Sequence, residues 1–207
     1  MIQGEPTVFV VDDDKAMRES LCWLIESVGL PYRSFARAED FLRSYDPAQP
    51  GCLLLDVRMA GMSGIELHER LRQRAITMPV IIITGHGDVP MAVRAMKAGA
   101  FDFFEKPFND QALLERVRQA IESDGQYRRR LEKVSQIRLR IESLSPREAQ
   151  VMALVAAGRL NKQIAAQLAV SEKTVESHRA SLMKKMRAAS VVELVRMALA
   201  VEHEDGA

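Results

Sequence analysis

What most constrains the fold is a run of apolar residues, Cys52-Leu53-Leu54-Leu55, that ends on a single aspartate, Asp56, with a glycine-bearing loop from Val57 to Gly64 behind it. A short unbroken apolar run between turn residues is a strand buried on both faces, and such strands belong to parallel sheets covered by helices. In those sheets chemistry collects just beyond the carboxyl ends of the strands. Asp56 stands at one such end. Val8-Phe9-Val10-Val11 ends the same way in Asp12-Asp13-Asp14, Pro79-Val80-Ile81-Ile82-Ile83 ends at Thr84, and Phe101 to Phe104 is followed by Glu105-Lys106-Pro107.

Helical spacing fills the intervals. Met17, Leu21, Leu24, Ile25 and Val28 predict a helix over 15–28, with Gly29 just past its end. A short strand over 32–35 and a short helix over 38–45 precede the turn-rich segment Asp46-Pro47-Ala48-Gln49-Pro50-Gly51. Further helices are expected over 63–74, over 89–98 with Gly99 as its stop, and from a cap at Asp110 to Ile121. Five β–α repeats of this kind predict an α/β architecture, a five-stranded doubly wound parallel sheet.

Each strand-end residue taken singly is an ordinary surface polar group. Together, Asp12, Asp13, Asp56, Thr84 and Lys106 form a constellation. Carboxylates crowded together repel one another and need a cation to stay ionised, and hard carboxylate oxygens suit Mg²⁺. Asp56 then has the chemistry of a carboxylate nucleophile toward phosphorus. Lys106 and the ion would stabilise charge on the phosphoryl oxygens, and Thr84 would donate a hydrogen bond to the product.

No apolar run approaches the ~20 residues that span a bilayer, so no membrane association is expected. The start of the chain lacks a signal-peptide pattern. Cys22 and Cys52 sit in apolar surroundings without metal-ligand spacing and read as buried thiols of a reducing compartment, which points to the cytoplasm.

The near-neutral net charge hides an asymmetry. Residues 1–119 carry 17 Asp/Glu against 14 Lys/Arg, whereas residues 145–201 carry nine Lys/Arg against four Asp/Glu. Two jobs in one chain are implied. Between them, Leu131, Val134, Ile137 and Ile141 make a narrow helical stripe, either a spacer helix or a short coiled-coil contact. Asp124-Gly125 predicts a break or hinge, and Arg128-Arg129-Arg130 reads as a solvated linker face or, alternatively, a nucleic-acid contact.

Past the linker, Ser145-Pro146-Arg147-Glu148 carries a cap, a proline at the first helical position and a glutamate at the third. Gly158 ends that helix, Asn161 is expected to cap a short one to Leu168, and Ser171 a long one to Met186 after the tight turn Ala169-Val170-Ser171. A last helix is expected from Ser190 to about Val201. Two helices joined by so short a turn make a helix-turn-helix, in a small all-α domain. Val175, His178, Leu182 and Met186 form the inward stripe of the second, leaving Lys173, Glu176, Ser177, Ala180 and Lys184 outward.

Two resemblances follow from these motifs. Val11-Asp12-Asp13-Asp14, Leu55-Asp56, Thr84-Gly85-His86-Gly87-Asp88 and Phe103-Phe104-Glu105-Lys106-Pro107 resemble the flavodoxin-like receiver domain of two-component response regulators. That resemblance implies phosphorylation of Asp56 by a sensor histidine kinase. It also implies Mg²⁺ held by Asp12, Asp13, Asp56 and the main-chain carbonyl of Arg58, phosphate contacts from Thr84 and Lys106, and a cis Lys106–Pro107 bond. Phe103, by the same likeness, is the switch aromatic that works with Thr84, though a plain core residue is the other reading. His86 is a solvated loop residue or a pH sensor. One departure stands out, because the family's loop usually reads Met-Pro and this chain has Met59-Ala60.

Leu144 to Glu148, Gly158, Asn161 to Ala165, Thr174 to Arg179 and Lys184-Lys185-Met186 resemble the LuxR/FixJ-type DNA-binding domain. Lys162, Lys173, Thr174, Arg179 and Lys185 are phosphate-contact candidates by that likeness, and Glu176, Ser177 and Ala180 face base edges. The order of the two parts is that of the NarL/FixJ response regulators. The expected domains are a receiver over 1–122, a helical linker over 123–143 and the helix-turn-helix domain over 144–207. The expected function is phosphorylation-driven dimerisation, promoter binding and activation of transcription through RNA polymerase, with at most slow autodephosphorylation as enzymatic activity. Rival readings are a helix-turn-helix factor with a vestigial receiver, and an aspartyl-phosphate phosphatase of the haloacid dehalogenase type. The latter calls for Thr or Val where Ala16 stands, and it brings no helix-turn-helix.

Overall fold

The computed structural model describes residues 4–85 and 89–205, so His86, Gly87 and Asp88 lie outside the described residues. The chain falls into two compact units, Met1–Arg129 and Arg130–Ala207. In the first, β1 (Thr7–Val11), β2 (Tyr32–Phe35), β3 (Gly51–Asp56), β4 (Val80–Thr84) and β5 (Asp102–Glu105) form one sheet in the order β2-β1-β3-β4-β5. Every pairing is parallel. The alternation of side chains along the strands sorts their apolar residues onto two faces. Phe9, Val11, Leu53, Leu55, Val80 and Ile82 meet Phe41 of α2 (Ala38–Ser44), Leu67 and Leu71 of α3 (Gly64–Gln73), and Ala95 of α4 (Val89–Lys97). Val8, Val10, Cys52, Leu54, Ile81 and Ile83 meet Leu21, Cys22 and Ile25 of α1 (Lys15–Glu26) and Leu113, Val117 and Ala120 of α5 (Asp110–Glu142). Burial on both faces is why these strands read as continuous apolar runs.

The strand order reverses between β1 and β3, and that crevice is where a doubly wound sheet presents its site. Register brings the strand ends together there. Val11 pairs with Leu55, so Asp12 and Asp56 follow side by side, while Asp56 pairs with Ile83 and Thr84 with Glu105.

Two caps differ from expectation. The Asn109 side chain accepts from the Ala112 N–H, so Asn109 rather than Asp110 caps α5. Asn161 lies inside α7 (Asn161–Leu168), with Leu160 at the cap position, and its side chain is engaged elsewhere.

The hinge expected at Asp124-Gly125 is absent: α5 runs unbroken for 33 residues. Instead of breaking the helix, Asp124 is buried and fastens it. Its Oδ2 accepts from the Gly51 N–H at 3.0 Å and from Arg128 Nε at 2.7 Å. Arg128 also donates to the carbonyls of Pro47, Ala48 and Gln49, the turn leading into β3. Arg128 is therefore part of the first unit, not a solvated linker face. Gly51 is required at this contact because a Cβ there would stand 1.8 Å from the Thr7 carbonyl oxygen.

In the second unit, α6 (Pro146–Ala156), α7, α8 (Glu172–Met186) and α9 (Val191–Asp205) enclose Val151, Val155, Ile164, Val175, Leu182, Met186 and Leu194. Ala169 takes the left-handed conformation (φ 52°) that turns the chain from α7 into α8, and Ser171 caps α8 through the Thr174 N–H. This is the helix-turn-helix.

Breaking a buried pair from one side leaves an uncompensated charge. Arg128→Ala should lower the stability of the first unit by about 3 kcal/mol, read from hydrogen exchange of the β1 and β3 amides. An Asp124→Leu/Arg128→Met double variant should lose less. If Arg128→Ala left exchange unchanged, the pair would make no net contribution.

Candidate functional site

β1, β3 and β5 deliver their end residues to one point. Lys106 reaches across from β5, and its Nζ donates to Asp56 Oδ1 at 2.8 Å and to Asp12 Oδ2 at 2.9 Å. Both carboxylates are nearly inaccessible, and the Lys106 side chain is only 16% exposed. Burial alone would depress the Lys106 pKa, but the hydrogen bonds to Asp56 and Asp12 outweigh it and hold the ammonium above its usual value. Asp12 is held above the usual carboxylate range, first by burial and further by the charge of Asp56, with Lys106 offsetting only part. Two carboxylates thus share one ammonium.

Loops fix the remaining oxygens. Asp12 Oδ1 accepts from the Asp14 N–H at 2.9 Å, and Asp14 in turn caps α1 through the Ala16 and Met17 amides. Arg18 donates to the main-chain oxygen of Asp12 at 2.7 Å. Asp13 is exposed, and its Oδ2 accepts from the Ala60 N–H at 2.8 Å. Gly64 lets the loop after Asp56 fold back, since a Cβ there would lie 2.1 Å from the Asp56 carbonyl oxygen. Thr84 is fully buried at the end of β4, beside the strand that carries Asp56. Phe103 on β5 is half-buried against the core on the α3–α4 face, and the Lys106–Pro107 bond is cis.

Among the described residues, no three His, Cys, Asp or Glu side chains form a ready-made metal cage. The donor set nevertheless fits a hard divalent cation. Carboxylate oxygens of Asp12 and Asp56 share one ammonium, Asp13 follows directly on Asp12, and octahedral Mg²⁺ completes its shell with main-chain and water oxygens.

The second surface is the exposed face of α8. Lys173, Glu176, Ser177, Ala180 and Lys184 are all exposed, while Val175, Leu182 and Met186 are buried and His178 is half-buried. Lys162 on α7 is exposed as well. Three other candidates have partners within the domain. Thr174 Oγ1 lies 2.8 Å from Ser171 Oγ, and Arg179 Nη1 donates to Asn161 Oδ1 at 2.7 Å. Lys185 Nζ donates to Glu148 Oε2 at 2.6 Å and to the Ser143 carbonyl.

Glu148 was legible only as the partner of Ser145 in a capping box, a role it keeps. Buried, it also accepts from Ser181 and Lys185 and so ties α8 to the start of α6. The Lys185 hydrogen bond, followed by those from Ser181 and the Ser145 amide, lowers its pKa to about 2.

Comparison with known proteins bears on both surfaces. Residues 8–118 match the family described as response regulator receiver domain, and residues 142–198 match bacterial regulatory proteins, luxR family. The chain is 50% identical over 190 residues to nodulation protein W of Bradyrhizobium diazoefficiens, covering 92% of this chain and 84% of that protein. It is 46% identical to transcriptional regulatory protein FixJ of Rhizobium meliloti, covering 94% and 95% of the two chains. Among solved structures, response regulator StyR superposes with a TM-score of 0.84 at 46% identity over 94% of this chain and 98% of that one. Full-length FixJ from B. japonicum gives 0.57 at 42% identity over 97% and 99%.

A carboxylate with a depressed pKa stabilises the fold fully above its unfolded value and loses that contribution as pH falls through the folded one. Glu148→Gln should therefore lower the urea midpoint of the DNA-binding domain at pH 6. The gap to the parent should close between about pH 4.5 and about pH 2. A gap that stayed constant over that range would remove Glu148 ionisation as its cause.

Proposed function

The chain belongs to the two-component response regulators, a receiver joined to a LuxR-type DNA-binding domain, and on that premise we propose that Asp56 is its phosphoacceptor. The observation that carries this is the Lys106 ammonium, hydrogen-bonded at once to Asp56 and Asp12 in a buried site. A sensor histidine kinase presents a phosphoryl group on imidazole nitrogen. An Asp56 carboxylate oxygen attacks phosphorus, the P–N bond breaks, and the imidazole leaves with the bonding pair. The product is an acyl phosphate on Asp56. Asp12, Asp13, Asp56 and the Arg58 carbonyl would hold Mg²⁺, which when bound would neutralise charge on the phosphoryl oxygens as a Lewis acid.

This chain's own residues do the rest. Lys106 follows the negative charge from the carboxylate to the phosphoryl oxygens, and the Thr84 hydroxyl donates to one of them. With Thr84 drawn toward phosphate, Phe103 turns further into the core and the α4–β5–α5 surface changes, which favours a homodimer. The dimer presents two α8 helices to two half-sites of a promoter, where the protein activates transcription through RNA polymerase. Glu176, Ser177 and Ala180 read base edges. Lys162, Lys173, Lys184, Thr174, Arg179 and Lys185 serve the phosphate backbone, the last two after exchanging an intradomain partner for DNA. The domain assignment is a receiver over 1–122, a helical linker over 123–143 whose first turns are fastened to the receiver through Asp124 and Arg128, and the DNA-binding domain over 144–207. No helix among the described residues is long and apolar enough to cross a membrane, and buried free thiols at Cys22 and Cys52 support a cytoplasmic location.

Asp56→Asn should abolish labelling by acetyl phosphate with Mg²⁺, because an amide is a poor nucleophile. Stoichiometric label on that variant would remove Asp56 as acceptor, and a parent that labels without changing mass in sedimentation would count against the dimer. On DNA, Lys184→Ala should weaken binding about equally on every sequence and flatten the log–log salt dependence by about one unit. Ser177→Ala should change base preference with the salt slope nearly intact. The reverse pattern would mean that α8 lies in the groove in another orientation.

A further inference from the structure

The loop that follows Asp56 bears the Arg58 carbonyl, and its amides are held from outside the loop. The Ala60 N–H donates to Asp13 Oδ2 at 2.8 Å, across 47 residues of sequence. Two residues on, the Met62 N–H donates to Glu39 Oε1 of α2 at 3.3 Å. Ser63 then closes the loop against Glu66 in a capping box at the start of α3. Met59 and Met62 are buried in the core on the same side. A proline at position 60, where the resemblance expects one, has no N–H and would leave Asp13 without this bond.

We propose that the Ala60 amide is a positioning group for the metal-ligating carboxylate of Asp13, with Glu39 as a second anchor of the same loop. This inference rests on the metal reading of the acidic site. With Oδ2 fixed by the Ala60 N–H, Oδ1 of Asp13 remains for the cation. The loop that carries the Arg58 carbonyl then cannot move independently of Asp13, so two expected ligands from different strand ends arrive as one unit. A charge-assisted hydrogen bond of this kind orients a ligand before the ion binds, and losing such an outer partner typically weakens a metal site about tenfold or more. The alanine thus supplies a hydrogen bond in place of the ring that would otherwise stiffen the loop.

The test is Mg²⁺ titration of the full chain by calorimetry, together with the Mg²⁺ dependence of acetyl phosphate labelling. Ala60→Pro should weaken Mg²⁺ affinity about tenfold and raise the half-saturating Mg²⁺ for labelling by the same factor, with the rate at saturating Mg²⁺ unchanged. Ala60→Ser keeps the N–H and should stay within about twofold of the parent, while Glu39→Gln should fall between the two. In the metal-free protein, Asp13→Ala should shift the Ala60 amide proton resonance. The proposal is overturned if Ala60→Pro binds Mg²⁺ as tightly as the parent, if Ala60→Ser loses as much as proline does, or if the Ala60 amide ignores Asp13. A parent that binds no Mg²⁺ at all would instead overturn the metal reading, and this inference with it.

Discussion

Two buried carboxylates at neighbouring strand ends cannot both stay ionised without a cation, and in this receiver the Lys106 ammonium is that cation. The arrangement depends on topology more than on local sequence. Asp12 and Asp56 are adjacent because β1 pairs with β3 in register. Lys106 comes from β5, with β4 lying between β3 and its own strand, and only a long side chain bridges that distance. One ammonium faces two carboxylates, a formal deficit of positive charge, while burial is the chief cause that holds the Asp12 pKa up. The same deficit suits the site to a divalent cation and then to a dianionic phosphoryl group.

The contrast is visible in two other buried carboxylates. Asp124 has one dedicated guanidinium and a main-chain amide, and Glu148 has one ammonium, the Ser181 hydroxyl and the Ser145 amide. Each has one cation of its own, although Asp124 Oδ1 is buried without a hydrogen-bond partner, and each fastens two segments: α5 to the turn before β3, and α6 to α8. Balanced charge holds structure together, whereas an unbalanced charge leaves something for a ligand to complete.

The sheet was legible in the sequence because burial on both faces produces unbroken apolar runs, and the runs end where the polar residues of the site begin. Asp12, Asp56, Thr84 and Lys106 were therefore visible as a set before any coordinate. What escaped notice shares one property. Asp124 bonds to Gly51, Asp13 to Ala60 and Glu148 to Lys185 across 73, 47 and 37 positions. A charged residue on a helix or in a loop reads as solvated unless its distant partner is known. The Asp-Gly dipeptide at 124–125 illustrates the error: its local preference for a turn is overridden by a helix whose aspartate is buried and paired, and tertiary contacts of that kind routinely defeat intrinsic propensity.

The recognition helix shows how the same principle bears on DNA binding. Its outward row needs no partner inside the domain, so Lys173 and Lys184 keep their conformational freedom and full hydration until they meet phosphate. Arg179 and Lys185 give up intradomain hydrogen bonds if they turn to DNA, and for Lys185 that would strand Glu148, whose carboxylate holds α8 in place. A contact that releases its own scaffold gains less than one made by a free side chain, because the loss of the internal bond offsets the new one. The electrostatic term that draws this domain to nucleic acid should therefore come chiefly from Lys162, Lys173 and Lys184. Glu148 ties the helix that carries Lys173 and Lys184 to the start of α6.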